Sequence, residues 1–89
     1  MKIIFLNGTP LAKVWADKVN LEWYLKNGFD LEFWNLDRIY YSLYQIQNYF
    51  SDNKFLSYEP PNQKIFYNKT DVKKELYKTD KNTIFCFLD

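Results

Sequence analysis

Two periodicities of hydrophobic residues divide the chain into strand-like and helix-like segments. Residues 3–6 form a short, wholly apolar run that predicts a first β-strand. The apolar residues then recur at every fourth position, as on one side of a helix, at Leu11, Trp15, Val19 and Trp23. We predict that Thr9 is the N-cap of this helix, that Pro10 is its first residue, and that Gly28 ends it in the left-handed conformation.

A second strand and a second helix follow. Residues 29–36 begin with an alternation of apolar and acidic residues, which predicts a strand with one buried face. Asp30 and Glu32 lie at the start of this strand, and we interpret them as solvated or as facing a missing partner rather than as a catalytic pair. Asp37 is predicted to cap a second helix, which the segment SDNK at 51–54 ends. The apolar stripe of that helix comprises Ile39, Leu43, Ile46 and Phe50.

The last third of the chain predicts a strand, a helix and a strand. Residues 64–68 form the third strand, and residues 70–82 form a third helix with Val72 and Leu76 facing inward. Residues 83–88 are apolar on both sides, as is typical of a central strand in a parallel sheet.

The resulting order, β-α-β-α-β-α-β, predicts an α/β protein with a parallel sheet and crossover helices. Right-handed crossovers and the common doubly wound order give a small three-layer, Rossmann-like domain with strand order 3-2-1-4 and three crossover helices. Two helices would cover one face of the sheet, and only the third would cover the other. We therefore expect residues 1–89 to form a single domain that is the N-terminal part of a longer protein, or whose exposed sheet face packs against a second copy.

Composition and charge argue against several classes of function. The 89 residues carry a net charge of +1 with acids and bases interspersed, which argues against a nucleic-acid-binding protein. The absence of histidine and the single Cys86 exclude an internal disulfide and the usual zinc ligand sets, so we predict no metal site and no cofactor. No apolar run approaches the ~18 residues of a membrane span, and we predict a cytoplasmic protein without a transmembrane segment. The abundance of Lys, Asn, Ile, Phe and Tyr is typical of an AT-rich bacterial genome.

The segment NGTPLA at 7–12 lies where many α/β proteins bind a phosphate. It holds one glycine, Gly8, and so lacks both the dinucleotide fingerprint and the P-loop motif. One interpretation is a weak anion or ligand site formed by Gly8, Thr9 and the N–H groups of Leu11 and Ala12. The simpler interpretation, which we favour, is a capped helix with a permissive glycine.

Asp37 and Arg38 follow the second strand directly. An acid in this position can bind a ribose, although an N-cap needs no ligand. Arg38 is the only arginine, and a cation at a helix N-terminus opposes the helix dipole. This conflict suggests an anionic partner, but we favour the interpretation that Arg38 is an ordinary surface arginine.

Other side chains have simple structural explanations. The lysines that follow position 68 alternate with acids and indicate a solvated helix face. Cys86 lies inside an apolar strand and should be inert. No nucleophile and base pair is evident, so we expect the isolated segment to catalyse nothing. A cluster of aromatic residues could stack on sugars or bases, or pack in the core: Trp34, Tyr40, Tyr41, Tyr44 and Tyr49.

Three short motifs suggest a family. The helix start TPLAKVW, the strand end FWNLD and the following IYY resemble the N-terminal Rossmann-like segment of bacterial surface-polysaccharide biosynthesis proteins, some of which are glycosyltransferase-like. The resemblance covers about the first half of the chain. It implies a two-domain enzyme of the GT-B kind, in which the N-terminal half receives the acceptor and a C-terminal half binds the nucleotide-sugar. The resemblance places no catalytic residue in this chain.

The first functional hypothesis is therefore a ligand-side or acceptor-side domain of a polysaccharide-building, glycosyltransferase-like protein, not catalytic alone. Its partner would be a saccharide acceptor or a nucleotide, bound at the carboxyl ends of the strands. The alternatives are a nucleotide-binding module, such as the leading domain of an ATP-dependent ligase, and a non-enzymatic domain that dimerises through its exposed sheet face. The predicted site comprises Asn7, Gly8, Thr9, Asn35, Asp37, Arg38, Asn68 and Lys69.

Overall fold

A four-stranded, all-parallel sheet in the order β3-β2-β1-β4 organises the chain, as predicted. The computed structural model describes residues 1–53 and 55–88. The strands are β1 (Lys2–Asn7), β2 (Asp30–Asn35), β3 (Gln63–Ile65) and β4 (Thr83–Phe87). The helices are α1 (Lys13–Lys18), α2 (Leu21–Lys26), α3 (Asp37–Tyr40), α4 (Leu43–Asn53) and α5 (Lys69–Lys78). The predicted α/β class and strand order are confirmed, and two of the three predicted helices are each divided in two.

Successive side chains along each strand point to opposite faces of the sheet, and residues in register on neighbouring parallel strands share a face. The strands therefore contribute to two cores. On one face, Ile3 and Phe5 of β1 pack with Leu31 and Phe33 of β2 and with the helices of the first crossover. On the other face lies a smaller core beneath α5. It comprises Ile4, Leu6, Trp34, Leu36 and Phe66, with Ile39 and Val72 against it.

The first crossover begins later than predicted. Thr9 and Pro10 do not start the helix, because the segment before α1 is extended and pairs with a distant part of the chain. Lys13 N–H donates to the Leu56 carbonyl (2.8 Å), Tyr58 N–H donates to the Leu11 carbonyl (3.0 Å), and Ala12 is the extended N-cap. This pairing removes residues 10–12 from the helix, so the predicted cap at Thr9 is wrong.

The same crossover is interrupted at Asn20, which adopts the left-handed conformation (φ 58°, ψ 47°) between α1 and α2. Its far end is as predicted. Gly28 has φ +75°, and the N–H groups of Gly28 and Phe29 donate to the carbonyls of Leu25 and Tyr24. The rings of Tyr24 and Phe29 also contact each other, with centroids 5.3 Å apart. These are the hydrogen bonds and the apolar contact of a Schellman motif.

The second crossover consists of α3 and α4 rather than one helix. Asp37 is the first residue of α3 and not its N-cap, and Tyr41 is extended after it. A capping box then starts α4, because Gln45 N–H donates to the Ser42 hydroxyl (3.2 Å) while the Gln45 side chain accepts from Ser42 N–H (2.9 Å). Leu43 therefore lies in the first turn and is exposed, contrary to its predicted place in the buried stripe.

The end of α4, the environment of β4 and one face of α5 complete the comparison with the predicted elements. Helix α4 includes residues 51–53 of the segment expected to end it, and Lys54 lies outside the described residues. Strand β4 is at the edge of the sheet, as the predicted order 3-2-1-4 requires, although its apolar pattern is typical of a central strand; Phe87 is 72% exposed. In α5, Val72 packs inward as predicted, whereas Leu76 is exposed.

Candidate functional site

Two asparagines end the two central strands at the carboxyl edge of the sheet. Asn7 of β1 and Asn35 of β2 are in register, and the Asn7 side-chain amide donates to the Asn35 side-chain oxygen (2.9 Å). The same Asn7 amide donates to the Thr9 carbonyl (3.1 Å) and so shapes the loop after β1. The predicted positions of Asn7, Thr9 and Asn35 at one edge of the sheet are thus brought together by direct hydrogen bonds.

The network continues into the loop after β2. The Asn35 side-chain oxygen also accepts from Asp37 N–H (3.0 Å), and its amide nitrogen donates to the Gln63 side chain on β3 (3.1 Å). Asn35 therefore joins β1, β3 and the start of α3. One side chain thus holds three elements in place, and the hydrogen bonds of the fold set the geometry of this edge.

Asp37 and Arg38 form an ion pair beside this network, with Arg38 Nη1 2.9 Å from Asp37 Oδ1. Burial raises the pKa of Asp37, and the neighbouring Arg38 guanidinium offsets part of that effect. The carboxylate also compensates the dipole of α3, which removes the conflict that the sequence indicated at Arg38. Both residues border a small cavity of about 110 Å³ that Asn35 and Gln63 also line.

Gly8 and Thr9 lie in the half-buried loop between β1 and the extended segment at 10–12. The predicted anion site required Leu11 and Ala12 to form the first turn of a helix. Ala12 is instead extended (φ −97°, ψ 150°), so their N–H groups are not arranged as a helix N-terminus. Of that prediction, the loop residues remain as candidates and the helix-start geometry does not.

Asn68 and Lys69 follow β3 but do not hydrogen-bond to the network of Asn7 and Asn35. Asn68 is the N-cap of α5: its side chain accepts from Asp71 N–H (2.9 Å) and donates to the Asp71 carboxylate (3.0 Å). Lys69 Nζ lies 5.8 Å from the ring centroid of Tyr40 on α3, within the range of a cation–π contact. These two residues therefore belong to the rim of the edge.

The aromatic residues suggested for stacking differ in accessibility. Trp34 is buried beneath α5 and cannot reach a ligand. Tyr40, Tyr41 and Tyr44 are exposed near the start of the second crossover. Tyr49 is half-buried and lies against Trp15 of α1, whose indole N–H is 3.4 Å from the Tyr49 hydroxyl.

A second charged cluster lies on the α5 face, at the opposite end of the strands. Glu32 receives hydrogen bonds or ion pairs from Lys2 (3.1 Å), Lys64 (2.8 Å) and the Trp34 indole (2.8 Å). Lys64 also contacts Glu75 of α5 (3.1 Å). Burial alone would raise the pKa of Glu32, but these donors outweigh it and lower the pKa to about 2. The prediction that Glu32 is solvated is wrong, whereas Asp30 is exposed.

This charged cluster borders a cleft of about 550 Å³. Its lysines and carboxylates neutralise one another, so the cluster anchors α5 to the sheet rather than presenting net charge to a ligand. Within residues 1–53 and 55–88, no group of three or more Asp, Glu, Cys or His residues could hold a metal ion. None of the helices over the same residues has the length and apolarity that crossing a membrane requires.

Comparisons with protein-family models, curated proteins and solved structures found no match to this chain. The functional inference therefore depends on the fold and on the geometry of the carboxyl edge.

Proposed function

We propose that this domain binds a ligand at the carboxyl edge of its sheet, as the acceptor-side domain of a bacterial polysaccharide-building, glycosyltransferase-like protein. One observation carries the proposal. Among the described residues, the buried polar or charged side chains are Asn7, Asn35 and Asp37, and all three lie at this edge. In open α/β sheets, ligands bind outside the carboxyl ends of the strands.

The cost of burying these groups supports a functional origin. A buried amide or carboxylate must recover its lost hydration through internal hydrogen bonds, and apolar residues of similar size would avoid that cost. Here the Asn7 amide donates to Asn35, Asn35 accepts from Asp37 N–H, and the Asp37 carboxylate pairs with Arg38; these bonds fix the loops after β1 and β2. Loops held in this way offer a ligand a preformed surface, which lowers the entropic cost of binding.

In this proposal the chain's own residues bind and orient the ligand. Arg38, which pairs with Asp37, and the amides of Gly8 and Thr9 on the loop after β1 would contact the ligand, and Tyr40 with Lys69 would form the rim. No nucleophile and base pair is part of it. We therefore expect binding without turnover for the 89-residue chain.

The experiment is an amide NMR titration of the 10.9 kDa chain with neutral trisaccharides and, separately, with adenine nucleotides. We expect saccharide to shift the resonances of Gly8, Thr9 and Arg38. Arg38→Gln should weaken that binding, and Lys26→Gln on exposed α2 is the matched control. A titration with no saccharide-dependent shift at the carboxyl edge would refute the proposal. Shifts there with the nucleotide alone would favour the ATP-dependent ligase alternative.

A second candidate function is self-association through β4, and the exposure of that strand favours it. Its outer edge pairs with no strand among the described residues, and Phe85 and Phe87 are exposed on the α5 face. The segment TIFCFL, 83–88, carries no charge, so two copies could pair edge to edge without like-charge repulsion.

Sedimentation velocity over a range of concentrations tests this candidate. Phe87→Lys should abolish a concentration-dependent dimer, because a charged edge residue opposes strand pairing. Tyr44→Lys is the matched control, since Tyr44 and Phe87 are each 72% exposed. A wild-type chain that stays monomeric, or a dimer that survives Phe87→Lys, would exclude association through this edge.

A further inference from the structure

A groove of about 280 Å³ lies between the loop after β1 and one side of α4. One wall is formed by Thr9 and Pro10, next to the carboxyl edge. The other wall consists of residues before and along α4: Tyr41, Gln45, Asn48, Tyr49 and Asp52. The spacing of Gln45, Asn48 and Asp52 places these three side chains on one face of α4, and Tyr41 extends the wall from the extended segment before the helix.

The stripe has hydrogen-bonding capacity that the fold leaves unused. Neither the Asn48 amide nor the Asp52 carboxylate makes a hydrogen bond or ion pair with another described side chain or backbone group. Gln45 uses its side-chain oxygen in the capping box, which fixes the side chain and leaves its amide nitrogen as a donor. A planar amide donor, a second amide and a carboxylate therefore line one side of the groove.

The charge and size of the groove select the class of ligand. Its described lining residues include one carboxylate and no cation, which disfavours a phosphate or a nucleotide. The volume is near the lower end of the range for small-molecule sites, about 300 Å³. Tyr41, 37% exposed, adds an aromatic ring that can lie against an apolar C–H surface. Amides, a carboxylate and a ring together suit a neutral, polyhydroxylated ring.

We propose that this groove is the subsite that holds a sugar ring of the acceptor, an inference that rests on the proposed function and extends it to α4. Thr9 belongs to both regions: its carbonyl accepts from Asn7, and the residue lines the groove. A saccharide could therefore extend from the carboxyl edge to α4. In this arrangement Asn48 and Asp52 bind sugar hydroxyls, and Tyr41 contacts a sugar face.

The test is a titration with neutral hexose and N-acetylhexosamine trisaccharides, followed by the side-chain amide resonances of Gln45 and Asn48. Both should shift. Asn48→Ala should weaken binding roughly fivefold, the effect of one lost hydrogen bond. Gln47→Ala changes the neighbouring, exposed position of the same helix and should leave affinity within about twofold. Asp52→Asn removes the carboxylate charge from the same wall and should also weaken binding. Its circular dichroism spectrum should match that of the wild type, because Asp52 is exposed.

The outcomes separate this inference from the proposed function. If trisaccharides shift Gly8 and Arg38 but neither Gln45 nor Asn48, and both groove variants bind normally, the groove assignment is overturned while the edge site stands. If no trisaccharide shifts any resonance, both proposals are overturned. Uridine diphosphate serves as the anionic probe, and binding of it in the groove would contradict the selection of neutral ligands.

Discussion

Replacing Glu32 by Gln should destabilise the protein at neutral pH and flatten its pH dependence. Lowering the pKa of Glu32 from 4.5 to about 2 corresponds to roughly 3 kcal/mol at pH 7. Lys2 and Lys64 are 40% and 47% exposed, so water screens part of each ion pair. We therefore expect Glu32→Gln to lower the free energy of unfolding by about 1.5–2 kcal/mol at pH 7.

The direction of the pH effect follows from the lowered pKa. The folded state holds the Glu32 carboxylate more strongly than the unfolded state does, so its contribution is complete above pH 4.5 and is lost as the pH falls towards 2. At pH 3 less than half of it should remain. The difference between wild type and Glu32→Gln should shrink accordingly.

Urea unfolding followed by tryptophan fluorescence, at several values from pH 3 to pH 7, measures this difference. Asp30→Asn is the matched control: Asp30 is on the same face of the same strand, two positions earlier, and is exposed. We expect a change within about 0.5 kcal/mol for this variant at every pH. If the difference in unfolding free energy between wild type and Glu32→Gln does not vary with pH, the ion pairs of Glu32 do not anchor α5. An equal loss of unfolding free energy in Asp30→Asn would refute the same explanation.

Three further variants test local features. Gly28→Ala should cost about 1 kcal/mol in urea unfolding, because Gly28 has φ +75° although a Cβ would meet nothing within 4 Å; an unchanged stability would contradict the Schellman assignment. Ser42→Ala should cost about 1 kcal/mol in thermal or urea unfolding through the lost capping box, whereas Ser51→Ala in the last turns of α4 should not. Asp37→Asn should leave stability at pH 7 unchanged or higher while weakening saccharide binding. Burial raises the pKa of Asp37 above its value in the unfolded chain. Protonation of Asp37 therefore stabilises the folded state at low pH, and this stabilisation is lost as the pH rises through the raised pKa. Asparagine has no charge to bury at any pH. A loss above about 1 kcal/mol at pH 7 would show that the pair with Arg38 outweighs burial.

The strand order followed from the sequence because it depends on few local signals. Apolar runs identified the strands, and right-handed crossovers then limit how consecutive parallel strands can be arranged. The end of α2 was equally local, since Gly28 and Phe29 carry the complete C-cap signal. The strands and the C-cap of α2 are each determined by residues within a few positions of one another, and a general rule of chain connection supplies the strand order.

The errors arose where distant or competing contacts decide the structure. Thr9 and Pro10 had the sequence of a helix start, but residues 11–13 pair with residues 56–58, which no local pattern indicates. The second crossover did contain a readable signal, because Ser42 and Gln45 have the spacing of a capping box. Asp37 masked it as an apparently better cap.

The candidate site was predictable in position but not in connectivity. Strand ends located Asn7 and Asn35, yet only the register of β1 and β2 brings their side chains within 2.9 Å. Asn68, a predicted ligand-binding residue, caps α5, a role that the sequence analysis did not assign to it. The α4 stripe was missed because its register depends on where α4 begins.

The antiparallel pairing of residues 11–13 with residues 56–58 has a mechanical consequence for ligand entry. It ties the segment that follows Thr9 and Pro10 to the chain that returns from α4, so both walls of the groove are parts of one braced frame. The bridge between Ala12 and Ser57 restrains the segment that follows Pro10. In the proposed subsite, a sugar would therefore meet a loop wall that is already held in place in the folded chain.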